Sequence, residues 1–276
     1  MPPEQADHDD ASQGDDAVSP IIQSLVRGLS VIRAFDADHA DMTLSDVARR
    51  TDLSRATARR ILYTLASLGY VATDGKQFSL RPRILELGYT YLSSLNLPEI
   101  ATPHLEKLTV AVNESSSVAL LDDTDIVYVA RVATRRIMTV AITVGTRFPA
   151  HLTSMGRVLL AGLEPAALAA LLDQLDLTPR THHTITDRRQ LEAELARISD
   201  QGWALVDQEL EEGLRSIAVP LHDAAGRVVA AINVSTTTRR GTPEVIRAEI
   251  LPHLMAAARD IEGDLAAVNR GPSTRV

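Results

Sequence analysis

Residues 52–63, DLSRATARRILY, combine arginines and short hydroxyl side chains with apolar residues at helical spacing. The polar set on this helix consists of Ser54, Arg55, Thr57, Arg59 and Arg60. Arginine can donate two hydrogen bonds to a guanine edge, and Ser and Thr reach phosphates or base edges. Two interpretations follow from these residue types, the solvated face of an ordinary helix or a surface that binds DNA.

The apolar residues around this segment have the spacing of a helix-turn-helix. Ala48 is the small residue of a first helix, Leu53 follows five positions later, and Ile61 eight positions after that. These are the positions at which the motif packs its two helices together. Asp52 stands at the turn where the motif usually has glycine, and Asp tolerates the left-handed backbone better than most residues.

Capping residues and a turn predict the limits of these elements. Thr43 or Ser45 can cap the first helix, Ser54 the second, and Gly69 is placed to end it. YVATDGKQFSLRP then predicts two short strands around an Asp-Gly turn, and Lys76 is placed there to contact the DNA backbone as a wing. The candidate DNA-binding residues are Thr43, Ser45, Ser54, Arg55, Thr57, Arg59, Arg60 and Lys76.

The charge of the chain is segregated, although the whole protein carries a formal net charge of -8. Residues 1–20 hold six acids and no Lys or Arg, residues 43–83 hold eight bases against three acids, and residues 84–276 hold 18 bases against 24 acids. A local excess of five positive charges favours DNA binding over a merely solvated helix. The sequence therefore predicts a disordered acidic tail at 1–20 and a winged helix-turn-helix at 21–83.

Composition excludes several classes of protein. The chain has no cysteine, which rules out disulfides, thiolate metal sites and cysteine nucleophiles. No apolar run approaches the ~20 residues that span a bilayer, and the first residues lack the pattern of a signal peptide. We therefore expect a cytoplasmic protein with no membrane partner.

Alternating helices and strands predict an α/β unit at 98–270, connected through a linker helix at 84–97. Its strand-like segments include SSVALLDDTDIVYVARV, TVAITVGTRF, WALVDQE, SIAVPLHD and VVAAINVSTT. We expect this unit to have a central, largely antiparallel sheet. The fold class is therefore α+β, an N-terminal winged helix-turn-helix followed by a C-terminal α/β domain.

The α/β unit lacks the motifs of an enzyme, since it has no phosphate-binding glycine loop, nucleophile elbow or HExxH. Neither a cofactor nor a metal is expected. His182-His183 is interpreted as part of a surface loop rather than a metal site, and Glu211 and Glu212 as a solvated pair rather than an acid–base pair. A small-molecule enzyme or a protein-interaction module, with the winged helix appended, remains the alternative.

The segment FPAHLTSMGR predicts the start of a helix at which an anion can bind. Backbone N–H groups of Ser154, Met155 and Gly156 would point out of this helix end and could hold a carboxylate. A capped helix without a ligand is the alternative interpretation.

Two strings in the α/β unit, VGTRFPAHLTSMGRVLLA at 144–161 and GWALVDQELEEGLRSIAVPLHD at 202–223, resemble the IclR family of bacterial transcriptional regulators. The resemblance covers roughly residues 20–270 and is greatest to the branch that regulates aromatic-acid catabolism through the β-ketoadipate pathway. It implies an effector domain similar to GAF and PAS folds that binds small organic acids. It also implies homodimers, often paired into tetramers, on palindromic operators in double-stranded DNA.

The resemblance also implies an effector pocket, formed by the helix-start amides of Ser154 and Met155, an apolar wall at Leu214, and Ser216. Arg135, within a run that includes Arg131 and Arg136, is a candidate carboxylate partner. The sequence departs from the family pattern twice, with Val206-Asp207 where many relatives have Asp-Asp, and Ser216 where many have Cys. Both departures change the polar groups of the pocket, so the effector does not transfer from a relative.

Overall fold

The computed structural model describes residues 21–87, 96–134 and 142–269. The chain divides into two compact units, Met1–Thr90 and Tyr91–Val276, which we describe separately. The predicted tail at 1–20 and most of the predicted linker at 84–97 lie outside the described residues. Leu97, the last residue of that predicted linker, is the first residue of a long helix and is buried.

The N-terminal unit contains three helices and a three-stranded sheet. The helices are α1 (Gln23–Arg33), α2 (Leu44–Thr51) and α3 (Arg55–Ser67). The strands are β1 (Asp41–Thr43), β2 (Val71–Thr73) and β3 (Gln77–Leu80), in the antiparallel order β1-β3-β2. The predicted winged helix-turn-helix is confirmed. The sequence interpretation missed β1, because three residues are too few to show an alternating pattern.

One apolar core holds these elements together. Val31 of α1, Val47 of α2, and Ala58 and Leu62 of α3 are fully buried, and Phe78 of β3 closes the cluster. Ala58 of α3 and Ala48 of α2 are small buried residues of the same cluster, so the two helices pack against each other there. Residues of α3 outside this core occupy its exposed positions.

The predicted caps are present. The Thr43 hydroxyl accepts from the Asp46 N–H at 3.3 Å, and the Asp46 carboxylate accepts from the Thr43 N–H at 3.2 Å, so Thr43 rather than Ser45 caps α2. The Ser54 hydroxyl accepts from the Thr57 N–H at 3.2 Å and caps α3. Asp52 adopts the left-handed conformation with φ 52°, as its place in the turn predicts.

The C-terminal unit is built on a six-stranded antiparallel sheet of order β6-β5-β4-β9-β8-β7. Its strands are β4 (Ser115–Asp122), β5 (Asp125–Val132), β6 (Arg147–Pro149), β7 (Ala204–Asp207), β8 (Leu214–His222) and β9 (Val228–Thr237). The predicted antiparallel sheet is confirmed. The predicted strand TVAITVGTRF is wrong over Ile142–Thr146, because Gly145 has φ +88° and Thr146 closes a turn onto the Thr143 carbonyl. The start of that segment lies outside the described residues.

Helices cover both faces of this sheet. On one face pack α4 (Leu97–Val112) and α8 (Pro243–Asn269), and on the other α5 (Ser154–Ala161), α6 (Pro165–Leu172) and α7 (Arg188–Gln201). Neighbouring residues of one strand alternate between the two cores, as Ile217 and Ala218 show. With aromatics at 3% of the chain, both cores consist mainly of aliphatic side chains.

A 3₁₀ turn at Ala150–Leu152 leads directly into α5, and Gly156 permits their close contact. A Cβ atom at Gly156 would lie 2.1 Å from the carbonyl oxygen of Ala150. The turn and the first residues of α5 therefore form one tightly packed unit.

The Gly156→Ala substitution tests this packing. We expect it to lower the free energy of unfolding by about 1–3 kcal/mol, since the backbone of Ala150 must move to admit a methyl group. Urea denaturation measures the change. In the control Gly263→Ala, on α8, the new Cβ meets nothing within 4 Å and should raise stability by up to ~1 kcal/mol. An unchanged unfolding midpoint for Gly156→Ala would contradict the packing.

Candidate functional site

The exposed side of α3 carries three arginines. Arg55, Arg59 and Arg60 are exposed, whereas Ala58 and Leu62 between and beyond them are fully buried. The structure thus brings the predicted DNA-binding arginines onto the solvent side of one helix. This is the geometry that a recognition helix requires.

The ion pairs among the described residues do not involve these three arginines. Among the residues that the structure describes, no carboxylate forms an ion pair with Arg55, Arg59 or Arg60, although Arg49 pairs with Asp46 at 2.7 Å. The Arg59 guanidinium lies 5.5 Å from the centre of the Tyr63 ring, a contact that orients the side chain without cancelling its charge. Three free guanidinium groups therefore remain for a polyanion.

The hydroxyl candidates have a second role. The Ser54 hydroxyl donates to Thr57 Oγ1 at 2.9 Å, in addition to capping α3. Thr43 caps α2, and Ser45 and Lys76 are exposed, with the Lys76 N–H donating to the Asp74 carboxylate at 2.8 Å. Contact of these residues with DNA stays a prediction.

The C-terminal unit encloses a cavity of about 20 Å³, enough for about one water molecule. Its walls come from the sheet, the residues before α5, and the loop between β7 and β8. The lining residues are Tyr128, Ile142, Leu152, Thr153, Val206, Glu209, Leu210, Leu214, Ser216, Asn233 and Ser235. The predicted pocket residues Leu214 and Ser216 are both among them.

The predicted helix-start residues lie beside the cavity rather than on its surface. Ser154 and Met155 are fully buried, and the Ser154 hydroxyl has no hydrogen-bond partner among the described residues. The Gly156 N–H, which the sequence offered to a ligand carboxylate, instead donates to the Thr153 hydroxyl at 3.0 Å. That prediction is corrected because the helix cap occupies this amide. Arg135 lies outside the described residues.

Asn233 is a buried polar residue of the cavity wall. This side chain of β9 is 3% exposed, and its Nδ2 donates to the Ser235 hydroxyl at 3.1 Å. Its Oδ1 has no partner within the described part of the chain, and such a buried acceptor costs ~1–3 kcal/mol. The sequence interpretation missed Asn233, although an Asn inside the apolar strand VVAAINVSTT was a signal.

A buried ion pair fixes one wall of the cavity. Arg157 of α5 donates to the Glu209 carboxylate at 2.5 Å and, through Nε, to the carbonyl of His151 at 2.9 Å. The Ile185 N–H also donates to Glu209, at 3.1 Å. The β7–β8 loop, which contributes Glu209 and Leu210 to the cavity, is thereby held against α5. Sequence analysis did not find this pair.

Both departures from the family pattern, Val206-Asp207 and Ser216, lie in this region, and Ser216 lines the cavity. Val206 lines the cavity with an apolar side chain. Asp207 accepts two hydrogen bonds from the Arg215 guanidinium, each of 2.9 Å, and is therefore committed within the protein. The cavity wall is less polar here than a pair of aspartates would make it.

The remaining candidates give no catalytic or metal arrangement. His182 and Glu212 are exposed and pair at 3.1 Å, as a solvated loop would. In the described ranges, no three His, Cys, Asp or Glu side chains are grouped as a metal site would need. No helix in those ranges is long and apolar enough to cross a membrane.

A winged helix with an exposed basic recognition helix, followed by a unit with a small cavity of mainly apolar lining, defines the class of DNA-binding transcriptional regulators with a separate effector domain. Two family models match the chain, the IclR helix-turn-helix domain over residues 24–75 and the bacterial transcriptional regulator IclR C-terminal domain over residues 89–263. The chain belongs to the IclR family. Its members are transcriptional regulators and not enzymes, which removes the enzyme alternative.

Similar proteins agree with this assignment. The Pca regulon regulatory protein of Pseudomonas putida is 46% identical over 239 residues, which cover 86% of this chain and 82% of that protein. A crystal structure of a transcriptional regulator from Rhodococcus sp. RHA1 has 57% identity and a TM-score of 0.81, covering 90% of this chain and 100% of that chain. An IclR homologue from Microbacterium hydrocarbonoxydans, complexed with 4-hydroxybenzoate, has 27% identity and a TM-score of 0.78, covering 88% and 99%. The predicted resemblance to the aromatic-acid branch is confirmed.

His151 makes the stability of this unit depend on pH. Burial lowers the pKa of His151 from 6.5 to about 4, and neither ring nitrogen has a partner among the described residues. In the unfolded chain the ring takes a proton near pH 6.5, while the folded protein resists protonation down to about pH 4. The unfolded state binds more protons between these values, so the free energy of unfolding falls by ~3 kcal/mol as the pH drops through this window.

Urea denaturation between pH 7.5 and 4 measures this dependence. His151→Leu removes the titrating ring, and its free energy of unfolding should fall less steeply below pH 6.5 than that of the wild type. Above pH 6.5 the difference between the two proteins should be constant. Parallel curves throughout would show that His151 is protonated in the folded protein near its ordinary pKa.

Proposed function

We propose that this protein regulates an operon for aromatic-acid catabolism and that its effector is a small hydroxylated aromatic acid bound in the cavity. The observation that carries the proposal is the unsatisfied Asn233 Oδ1 in a cavity with apolar walls. The 4-hydroxybenzoate complex of the Microbacterium homologue and the similarity to the Pca regulon regulator support it.

The walls of the cavity suit a ring with polar groups at its ends. Ile142, Leu152 and Leu214 supply apolar surface, and Asn233 Oδ1 requires a donor, which a phenolic hydroxyl provides and an unsubstituted ring does not. The N–H groups of Ser154 and Met155, at the start of α5, are the proposed partners of the carboxylate. Arg135 remains a further candidate.

Binding in this cavity requires a change of conformation. A volume of about 20 Å³ holds one water molecule and no aromatic ring, so the walls must separate when the effector enters. The apolar side chain of Leu210 belongs to the loop that Glu209 anchors, and Leu214 begins the next strand. We propose that displacement of this loop accompanies binding and couples the cavity to DNA affinity, with a coupling of ~1–3 kcal/mol.

The proposed DNA-binding form is a homodimer on a palindromic operator. The large apolar side chains of Leu25, Val26 and Leu29 on α1, and of Ile22 just before it, are all exposed. A contiguous apolar stripe of this kind is characteristic of an interface, and a second copy of the chain would cover it. Two copies of α3 could then read two half-sites related by the dimer axis. Pairing of dimers into tetramers is part of the same proposal.

Arg59→Ala tests DNA recognition. We expect affinity for the specific site in the protein's own upstream region to fall by ~1–3 kcal/mol, about 5- to 150-fold, because a guanidinium contact to a base or phosphate is lost. Arg55→Ala should behave similarly. Gel shifts at physiological salt measure the effect, with Arg189→Ala, an exposed arginine on α7, as the control. If the wild type forms no specific complex, DNA regulation through this region is refuted.

Asn233→Leu tests the effector site by its effect on selectivity. The wild type should bind 4-hydroxybenzoate about 10-fold more tightly than benzoate, since only the former donates to Oδ1. The variant, which loses the acceptor but keeps the branched shape of the side chain, should bind the two acids equally. Isothermal titration calorimetry gives both affinities, and benzoate binding serves as the internal control for folding. Equal affinities in the wild type would contradict the proposal that Asn233 accepts a hydrogen bond from the phenolic hydroxyl.

A further inference from the structure

The most acidic and the most basic segments of the sequence both lie in the N-terminal part of the chain. Residues 1–20 carry six carboxylates, Glu4, Asp7, Asp9, Asp10, Asp15 and Asp16, and no Lys or Arg. The winged helix that follows carries the excess of bases. The residues 1–20 lie outside the described ranges, but their charge and length follow from the sequence.

The described part of the winged helix leaves a basic surface without internal partners. We define this surface by Arg55, Arg59, Arg60 and Lys76, all exposed. None of the four forms an ion pair with a described carboxylate, whereas Arg49 and Arg50 are paired with Asp46 and Asp36. A basic surface of this kind attracts any nearby polyanion, including one other than DNA.

From the charge complementarity and the tether, we infer that residues 1–20 bind this basic surface and compete with DNA for it. The inference rests on DNA binding through α3, which the proposed function includes. The acidic segment occupies the place of the phosphates in the free protein and leaves when DNA binds. The segment thereby lowers the affinity of the regulator for every DNA sequence, and this effect requires no small-molecule effector.

The length of the segment permits this contact. Twenty residues reach up to ~70 Å when extended, while α1, into which they lead, is about 16 Å long and packs in the same core as α3. A tethered ligand of this kind has an effective concentration in the millimolar range, so even a weak contact between the segment and the surface is populated. We expect it to weaken DNA binding by about 3- to 10-fold at low salt.

A competitor of this kind has a specific thermodynamic signature. The segment must leave before any phosphate contact forms, so operator and unrelated DNA lose affinity by the same factor. Their ratio of affinities, which depends on base contacts, is unchanged. Because the attraction is electrostatic, the effect declines as salt is raised.

The first experiment compares two variants with the same net charge. In the tail variant, Glu4→Gln and Asp→Asn at 7, 9, 10, 15 and 16 remove six charges from the segment. The control variant removes six exposed carboxylates of the other unit, which form no ion pair with described residues, by the corresponding amide substitutions at Glu99, Glu106, Asp123, Glu164, Asp200 and Asp260. Both proteins move from a formal charge of -8 to -2.

Fluorescence anisotropy with an unrelated 30-base-pair duplex measures the outcome at 50 and 300 mM salt. The tail variant should bind about 3- to 10-fold more tightly than the wild type at 50 mM and nearly equally at 300 mM. The control variant should gain much less. An equal gain in both variants would show that net charge acts without contact, and no gain in the tail variant would also overturn the inference.

The second experiment detects the contact itself. The chain has two lysines, Lys76 in the wing turn and Lys107 on α4, and both are exposed. A carbodiimide joins a carboxylate to a lysine amine that it touches, so mass spectrometry should find residues 4–16 linked to Lys76, with Lys107 as the internal control. Excess DNA should abolish this link. Its absence from DNA-free protein, or equal linkage to both lysines, would refute the contact.

The two proposals fail in different ways. If wild type and tail variant bind DNA with the same affinity at every salt concentration, the inference about the segment is refuted and the proposed function stands. If neither protein binds its own upstream region or the unrelated duplex, both are refuted.

Discussion

The buried ion pair between Arg157 and Glu209 is the interaction on which the shape of the effector unit depends. It joins α5, the 3₁₀ turn before it and the β7–β8 loop, and it places a charged pair in an interior where either partner alone would cost ~3–5 kcal/mol. Removing one partner would leave the other charge buried, so these three segments keep their positions together. The cavity exists because they meet around the sheet at this point.

Around this pair, the protein tolerates polar atoms that no described group satisfies. The Ser154 hydroxyl, both ring nitrogens of His151 and Asn233 Oδ1 are all buried without partners. Each lowers stability, and a core made only of aliphatic side chains would avoid that loss. Of these residues, Asn233 lines the cavity, and the need of its Oδ1 for a donor is the basis of the proposed effector site.

The two units divide the electrostatic roles of the chain. In the winged helix, α2 uses its arginines in ion pairs, while Arg55, Arg59 and Arg60 on the solvent side of α3 pair with no carboxylate among the described residues. In the effector unit, Arg157 and Arg215 form ion pairs with carboxylates of the same unit. An overall acidic protein can therefore present a basic surface, because the field near DNA depends on the local charges and is screened over ~10 Å.

Elements with local signals could be predicted from the amino-acid sequence. Helix periodicity, the caps at Thr43 and Ser54, and the turn at Asp52 all act within a few residues, so the winged helix-turn-helix and its exposed arginines could be predicted. Alternation of apolar residues likewise predicted most strands of the sheet. Leu214 and Ser216 were predicted as pocket residues from the resemblance to the IclR family, and not from residue spacing alone.

Contacts between residues that are distant in the sequence became visible in the tertiary structure. Arg157 and Glu209 are 52 positions apart, and the pairing of β8 with β9 sets Ser216 opposite Ser235, two residues from Asn233. No local pattern encodes such pairings, since they depend on strand register and on how α5 packs over the sheet. Three other differences have local causes. β1 is too short to show alternation, Ile142–Thr146 forms a turn where a strand was predicted, and the Gly156 N–H already donates to the Thr153 hydroxyl.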